Sequence, residues 1–209
     1  MNVTNLIDEV IDREGGYSNH KADRGGATRW GITEAVARAD GYAGAMHELP
    51  RARAVAICRR LYWTAPGFDR VARRAPRIAA ELFDTGVNMG VAVAAAFLQR
   101  ALNALNRGAR DYPDISLDGR VGPQTLAALD LFLLTRGAAH YPDLPLDGRI
   151  GAGTLAALDA FLDGRGAGGE AVLLKALEAL QGERYVALAE RRPANEAFLY
   201  GWLANRIGA

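Results

Sequence analysis

Tyr112 to Ala138 reads YPDISLDGRVGPQTLAALDLFLLTRGA, and Tyr141 to Ala167 reads YPDLPLDGRIGAGTLAALDAFLDGRGA. The offset is 29 residues, and 19 of 27 positions are identical. This tandem duplication restricts what the chain can fold into. Each copy is a loop feeding one helix, and one amphipathic helix must find an apolar partner for its core face. Two copies fall short of the roughly three that a self-stacking solenoid needs. The repeat must therefore pack on the rest of the 209-residue chain, which is 50% hydrophobic and 23% charged. That composition supports a sizeable core and argues against global disorder. At about 150 residues per domain, the length fits one large domain or one and a half small ones. Without the 29 duplicated residues, 180 of the 209 remain, and the excess reads as an added loop–helix unit.

The rest of the pattern is helical. Between Asn5 and Arg13, Leu6, Ile7, Val10 and Ile11 form an amphipathic stripe, with Thr4 as its expected cap. A short helix is predicted at 33–39, and longer ones at 50–63, from Pro76 onward, and at 91–105. Further helices are predicted at about 123–135, 152–162, 170–190 and 194–207. The one extended stretch is Ala27 to Ile32, bracketed by Gly25-Gly26 and Gly31. The predicted class is all-α, or α+β at most, with one small Gly-rich hairpin.

Several functions are disfavoured at once. Cys58 is the only cysteine, so no intramolecular disulfide and no site of two or more thiolates can form. It sits mid-helix among apolar neighbours and reads as a buried, inert thiol. His20, His47 and His140 lack metal-ligand spacing. The first fourteen residues carry acidic groups and no apolar core, which predicts neither a secretory signal nor a membrane anchor. The net charge of +1 conceals an asymmetry. Residues 1–110 hold 16 Lys+Arg against 11 Asp+Glu, and residues 111–209 hold 9 against 13. Eight arginines (Arg51, Arg53, Arg59, Arg60, Arg70, Arg73, Arg74 and Arg77) face only Asp69 within 51–77. Such a segment can attract a polyanion, but it reads better as a solvated helix face in an Arg-rich chain.

The DGR loops test a calcium reading. Asp114, Ser116, Asp118 and Gly119 fit positions one, three, five and six of an EF-hand frame, but Thr125 stands where a bidentate Glu is required. In the second copy Pro145 takes position three. A turn feeding a helix, with Pro123 in the first helical turn, explains the motif better.

Glu14 carries the strongest chemical signal. It ends the first amphipathic helix, at the negative pole of the dipole, where a carboxyl is pushed towards its protonated form. Shielded from water, such a group can serve as a general acid near neutrality. Asp23 follows nine residues on, and the glycines around Thr28 allow a second carboxylate and a hydroxyl to fold back towards Glu14.

The run EGGYSNHKADRGGATRWGIT closely resembles the start of the glycoside hydrolase family 108 lysozymes, the phage-type N-acetylmuramidases and secretion-activator-like proteins. The resemblance continues through Cys58-Arg59-Arg60-Leu61-Tyr62-Trp63 and Glu81 to Gly90. It reaches Leu98-Gln99-Arg100-Ala101-Leu102-Asn103, and Leu117 to Thr125 looks like a peptidoglycan-binding LQxxLN…DGxxGxxT pattern. Glu183-Arg184-Tyr185 and Phe198 to Leu203 resemble the family's C-terminal helices. The chain departs from that family in having two DGxxGxxT units, the second without its own LQxxLN helix. Either copy, by sequence, can occupy the ancestral position.

The resemblance implies a lysozyme-like bilobal fold, with a catalytic lobe at 1–92 and a helical peptidoglycan-binding-type lobe at 93–209. It implies hydrolysis of the β-1,4 bond between N-acetylmuramic acid and N-acetylglucosamine. Glu14 matches the catalytic Glu. Asp23 would stabilise the oxocarbenium-like state or orient a water, and Thr28 would hold that water. Tyr17, Trp30, Tyr62 and Asn88 are candidate sugar contacts, since aromatic faces stack on sugar rings and an amide bonds an N-acetyl group. Trp63 and Trp202 read as core. No cofactor and no metal are expected. The expected partner is the peptidoglycan glycan strand, not nucleic acid and not the membrane interior. The expected setting is a phage or prophage endolysin, made in the cytoplasm and released to the cell wall by a holin or another exporter. A monomer is expected, with dimerisation through the duplicated segment the other possibility. The rival readings are a lytic transglycosylase, a secretion-associated muramidase and a non-catalytic wall-binding protein.

Overall fold

The computed structural model describes residues 3–14, 16–18, 26–137 and 167–208, with the backbone alone at 13, 14, 136, 137, 167 and 193. The chain divides into two compact units, Met1–Pro66 and Gly67–Ala209. The predicted helix at 152–162, and nearly all of the second repeat copy, lie outside the described residues.

The first unit is built on α1 (Val3–Glu14), which turns Ile7, Val10 and Ile11 into the core. The helix starts before Thr4, so Thr4 is not its cap. Its Oγ1 instead accepts from Arg59 Nη2 at 3.0 Å. A three-stranded antiparallel sheet follows, in the order β1 (Tyr17–Ser18), β2 (Thr28–Arg29) and β3 (Ile32–Thr33). The predicted single stretch at Ala27–Ile32 is thus a hairpin, because Trp30 and Gly31 both take positive φ (56° and 72°), the combination a tight two-residue hairpin turn requires. Thr33 caps α2 (Glu34–Ala39), accepting from Val36 N at 3.4 Å. The expected helix at 50–63 is two elements, α3 (Arg51–Cys58) and a π-helical turn (Arg59–Thr64) that buries Trp63.

The second unit is entirely helical among its described residues. It contains α4 (Phe68–Ala72), a short helix the periodicity missed, then α5 (Pro76–Met89), α6 (Val91–Ala104) and α7 (Pro123–Gly137). α8 (Ala167–Arg191) and α9 (Glu196–Arg206) complete it. Pro76 opens α5 at the first helical turn, where its missing N–H costs nothing. Gly90, at φ 100°, separates α5 from α6. α8 buries Gly169, Leu173, Leu177, Gln181, Tyr185 and Ala189, a stripe spaced by four that lies along one helix face. α7 is buried on nearly every side from Thr125 to Leu134, as a helix apolar all round must be. The class is therefore mainly helical with one small sheet, as the sequence predicted.

Candidate active site

Glu14 is the last residue of α1, and the chain enters β1 three residues later. Its side chain, and all of Asp23, lie outside the described residues. Thr28 stands in the central strand. The register pairs it with Ser18 on one side and Thr33 on the other. Directly paired residues share a face of the sheet, so three hydroxyl residues form one row across it. Sequence reading found Thr28 and missed Ser18 and Thr33. The signal was available in principle, because a Trp30-Gly31 turn fixes the hairpin register. Thr28 is half-buried, and its Oγ1 makes only a long 3.5 Å contact to Gly26 O.

Trp30 sits in the left-handed region, which is a genuine outlier for a bulky residue. Its indole Nε1 donates to Leu49 O at 3.1 Å, and the Arg29 guanidinium lies 5.4 Å from its ring. Strained residues of this kind concentrate at functional sites. Tyr17, on the edge strand, is 46% exposed and meets His47 edge to face with centroids 6.0 Å apart. His47 was not singled out by sequence, because nothing local links it to Tyr17. Tyr62 lies half-buried in the π-helical turn, a kind of distortion often found at functional sites. The structure therefore gathers Glu14's backbone, Tyr17, Thr28, Trp30 and Tyr62 in the first unit. Asn88 belongs to α5 of the second unit, where it is exposed and donates to Asp84 O (2.7 Å) and Asp84 Oδ2 (3.2 Å).

The basic run is largely neutralised by partners distant in sequence. Arg51 bridges Asp8 (2.7 Å) and Asp12 (3.0 Å) on α1, while Arg53 and Arg60 both pair with Asp40. Arg74 Nε meets Asp130 Oδ1 at 2.6 Å, where Asp130 is 1% exposed. Burial pushes the Asp130 carboxyl up, and Arg74 opposes that shift. These contacts support the reading of a structural face. Cys58 is buried, and burial pushes its thiol up to about 11, which keeps it an unreactive thiol at neutral pH. Trp63 is core at 7% exposure. Trp202 is only half-buried and stacks on Tyr185 at 5.1 Å and Phe198 at 6.1 Å.

The LQxxLN…DGxxGxxT residues turn inward. Gln99, 1% exposed on α6, donates to Asp118 Oδ1 (2.7 Å), Arg120 O (3.0 Å) and Thr125 Oγ1 (3.1 Å), and accepts from Gly119 N (3.0 Å). Asn103 exchanges bonds with both the N–H (2.9 Å) and the carbonyl (2.8 Å) of Ile115. Asn106 holds Tyr112 O and Asp114 Oδ1, and accepts from the N–H groups of Asp111 and Tyr112. The amides along α6 thus satisfy the DGR loop from inside, so Asp114 and Asp118 act as hydrogen-bond acceptors that hold a turn. Between this loop and α7 lies a cavity of about 200 Å³ lined by Tyr112, Asp114, Ile115, Gln124 and Leu131, among others.

Comparison with known proteins gives this arrangement its class. The family described as "Glycosyl hydrolase 108" matches residues 7–90, and that described as "Predicted Peptidoglycan domain" matches residues 93–140 and 131–207. The chain is accordingly a lysozyme-type glycoside hydrolase, and peptidoglycan is its partner. It belongs to glycosyl hydrolase family 108 with a C-terminal peptidoglycan domain, and so is a peptidoglycan-hydrolysing muramidase. The second family match resumes at 131, so the loop–helix part of the domain is accommodated twice, as the duplication requires. Among solved structures the chain is similar to SagA of Brucella abortus, at 23% identity over 93% of this chain and 94% of that one, with a TM-score of 0.48. Comparison with curated proteins finds no match.

Proposed function

We propose that the enzyme cleaves the β-1,4 bond between N-acetylmuramic acid and N-acetylglucosamine, with Glu14 as the general acid that protonates the glycosidic oxygen. The observation that carries this reading is the position of Glu14 at the C-terminal end of α1, directly before the three-stranded sheet. The dipole of α1 favours the neutral carboxyl there. Asp23 stabilises the oxocarbenium-like state or orients the attacking water, and Thr28, central in its row of hydroxyls, holds that water. Tyr17, Trp30 and Tyr62 supply faces for sugar rings, and the exposed Asn88 supplies an amide for an N-acetyl group. A carboxyl separation of roughly 6.5–9.5 Å accompanies inversion, and about 5–5.5 Å accompanies retention. The catalytic segment runs over 1–92, and the remainder engages the glycan strand. The setting is a phage or prophage endolysin, made in the cytoplasm and delivered to the wall through a holin or another exporter.

The test is clearing of purified cell walls with mass analysis of the products. The Glu14→Gln variant is expected to lose activity by about 10²–10⁴-fold or more, the range general acid catalysis supplies. Hydrolysis leaves a reducing sugar. Products lighter by one water would identify a transglycosylase and overturn the hydrolytic assignment.

A further inference from the structure

The groups that seat the first repeat copy occur once, upstream of the repeat. On α6 and just beyond it they are Gln99, Asn103, Asn106 and the carbonyl of Leu102, which accepts from Tyr112 Oη at 2.7 Å. Arg70 Nη2 donates to Val121 O at 2.7 Å, and Arg74 pairs with Asp130. Some of these contacts reach backbone atoms and are indifferent to side chain. The others reach Tyr112, Asp114, Asp118, Thr125 and Asp130, and Gly119 is also required because its N–H bonds Gln99 at φ 68°. At an offset of 29 the second copy repeats each of them, as Tyr141, Asp143, Asp147, Gly148, Thr154 and Asp159. The flanks match as well, Gly108-Ala109 before one copy and Gly137-Ala138 before the other. Nothing ahead of the second copy replaces the amide ladder, since only Ala138-Ala139-His140 precede it.

We propose that this cradle is a docking site for residues 141–159, which replace residues 112–130 within the same chain in a second register of one fold. With the first copy seated, 29 residues (138–166) connect α7 to α8. With the second seated, the extra 29 residues fall between α6 and the second copy instead. Loop-closure entropy depends only weakly on length, so equal loops leave the choice to side chains. Those favour the first copy. Leu131 and Leu134 are buried, at 7% and 4% exposure, and their counterparts are Ala160 and Asp163. A smaller side chain and a buried carboxylate both weaken that seat. The first register is therefore the ground state and the second a minor one.

Paired cysteines in the full chain read the exchange directly. A Cβ placed on Gly119 would stand 3.3 Å from Ala92 Cβ, close to the separation a disulfide spans. Under mild oxidation the Ala92→Cys, Gly119→Cys pair is expected to close. The Ala92→Cys, Gly148→Cys pair is expected to close more slowly, within one chain, and faster when Asp163→Leu is added. A Gly148 pair that stays open with Asp163→Leu while the Gly119 pair closes would overturn the proposal. So would a bond formed only between two chains. A chain lacking residues 109–137 provides the second measurement. It is expected to unfold cooperatively, with a Tm that falls when Gln99→Ala is introduced. Its failure to fold, when a chain lacking 138–166 folds, refutes the docking site whatever the cysteines do.

Discussion

Gln99 and Gly119 illustrate how much stability a single position in this chain can hold. Gln99 answers four groups at once, so Gln99→Ala leaves Asp118, Gly119 N, Arg120 O and Thr125 without it. A buried group stripped of its partner costs about 1–3 kcal/mol, and a loss near the top of that range is expected in denaturant unfolding. Gly119→Ala is expected to cost at least about 1 kcal/mol in the same measurement, because φ is +68° and a Cβ would lie 2.9 Å from Ala92 O. Sequence reading identified both residues as part of a motif and attached them to glycan recognition through resemblance. It could not show that their polar groups face inward, since Gln99 and Asp118 meet only once α6 and the loop have packed.

At the scale of elements, the hairpin and α7 behave differently. The hairpin tolerates a bulky residue in the left-handed region and holds it with one bond to Leu49 O. Trp30→Gly relieves about 1 kcal/mol of backbone strain and removes an aromatic face. Wall clearing is expected to fall much more than Tm, and a parallel loss of both would assign Trp30 to packing alone. α7 has no such freedom. Leu129 is 0% exposed at its centre, and Leu129→Ala is expected to cost about 2–5 kcal/mol by calorimetry or denaturant titration. The helices were legible because apolar spacing is local. The break of the 50–63 prediction into α3 and a π-helical turn was not legible, because Arg59 and Arg60 are held by Thr4 and Asp40 from elsewhere in the chain.

For the molecule as a whole, one buried carboxyl sets a pH dependence of stability. Burial, with Asp84 and Glu178 nearby, pushes Glu81 from 4.5 up to about 7. Gln181 lies within hydrogen-bond distance of Glu81 and Thr85, and Arg206 of α9 binds Asp84. Below about pH 4.5 Glu81 is protonated in folded and unfolded chains alike, so it contributes no pH slope there. Between about 4.5 and 7 the folded chain binds the extra proton, so stability falls as pH rises. The decline amounts to at most about 3 kcal/mol once both states are ionised. Glu81→Gln is expected to flatten that slope in Tm measured from pH 4.5 to 8, and an unchanged slope would place the titration elsewhere. The amino-acid sequence by itself determined the helical class, the place of the hairpin and the family, because periodicity, turn glycines and motif spacing are properties of neighbouring residues. Tertiary structure alone decided that Thr28 stands between Ser18 and Thr33, that the arginine run is spent on Asp8, Asp12, Asp40 and Asp130, and that the DGR loop is held from within. Each of those depends on partners brought together by packing, across separations that no local pattern records.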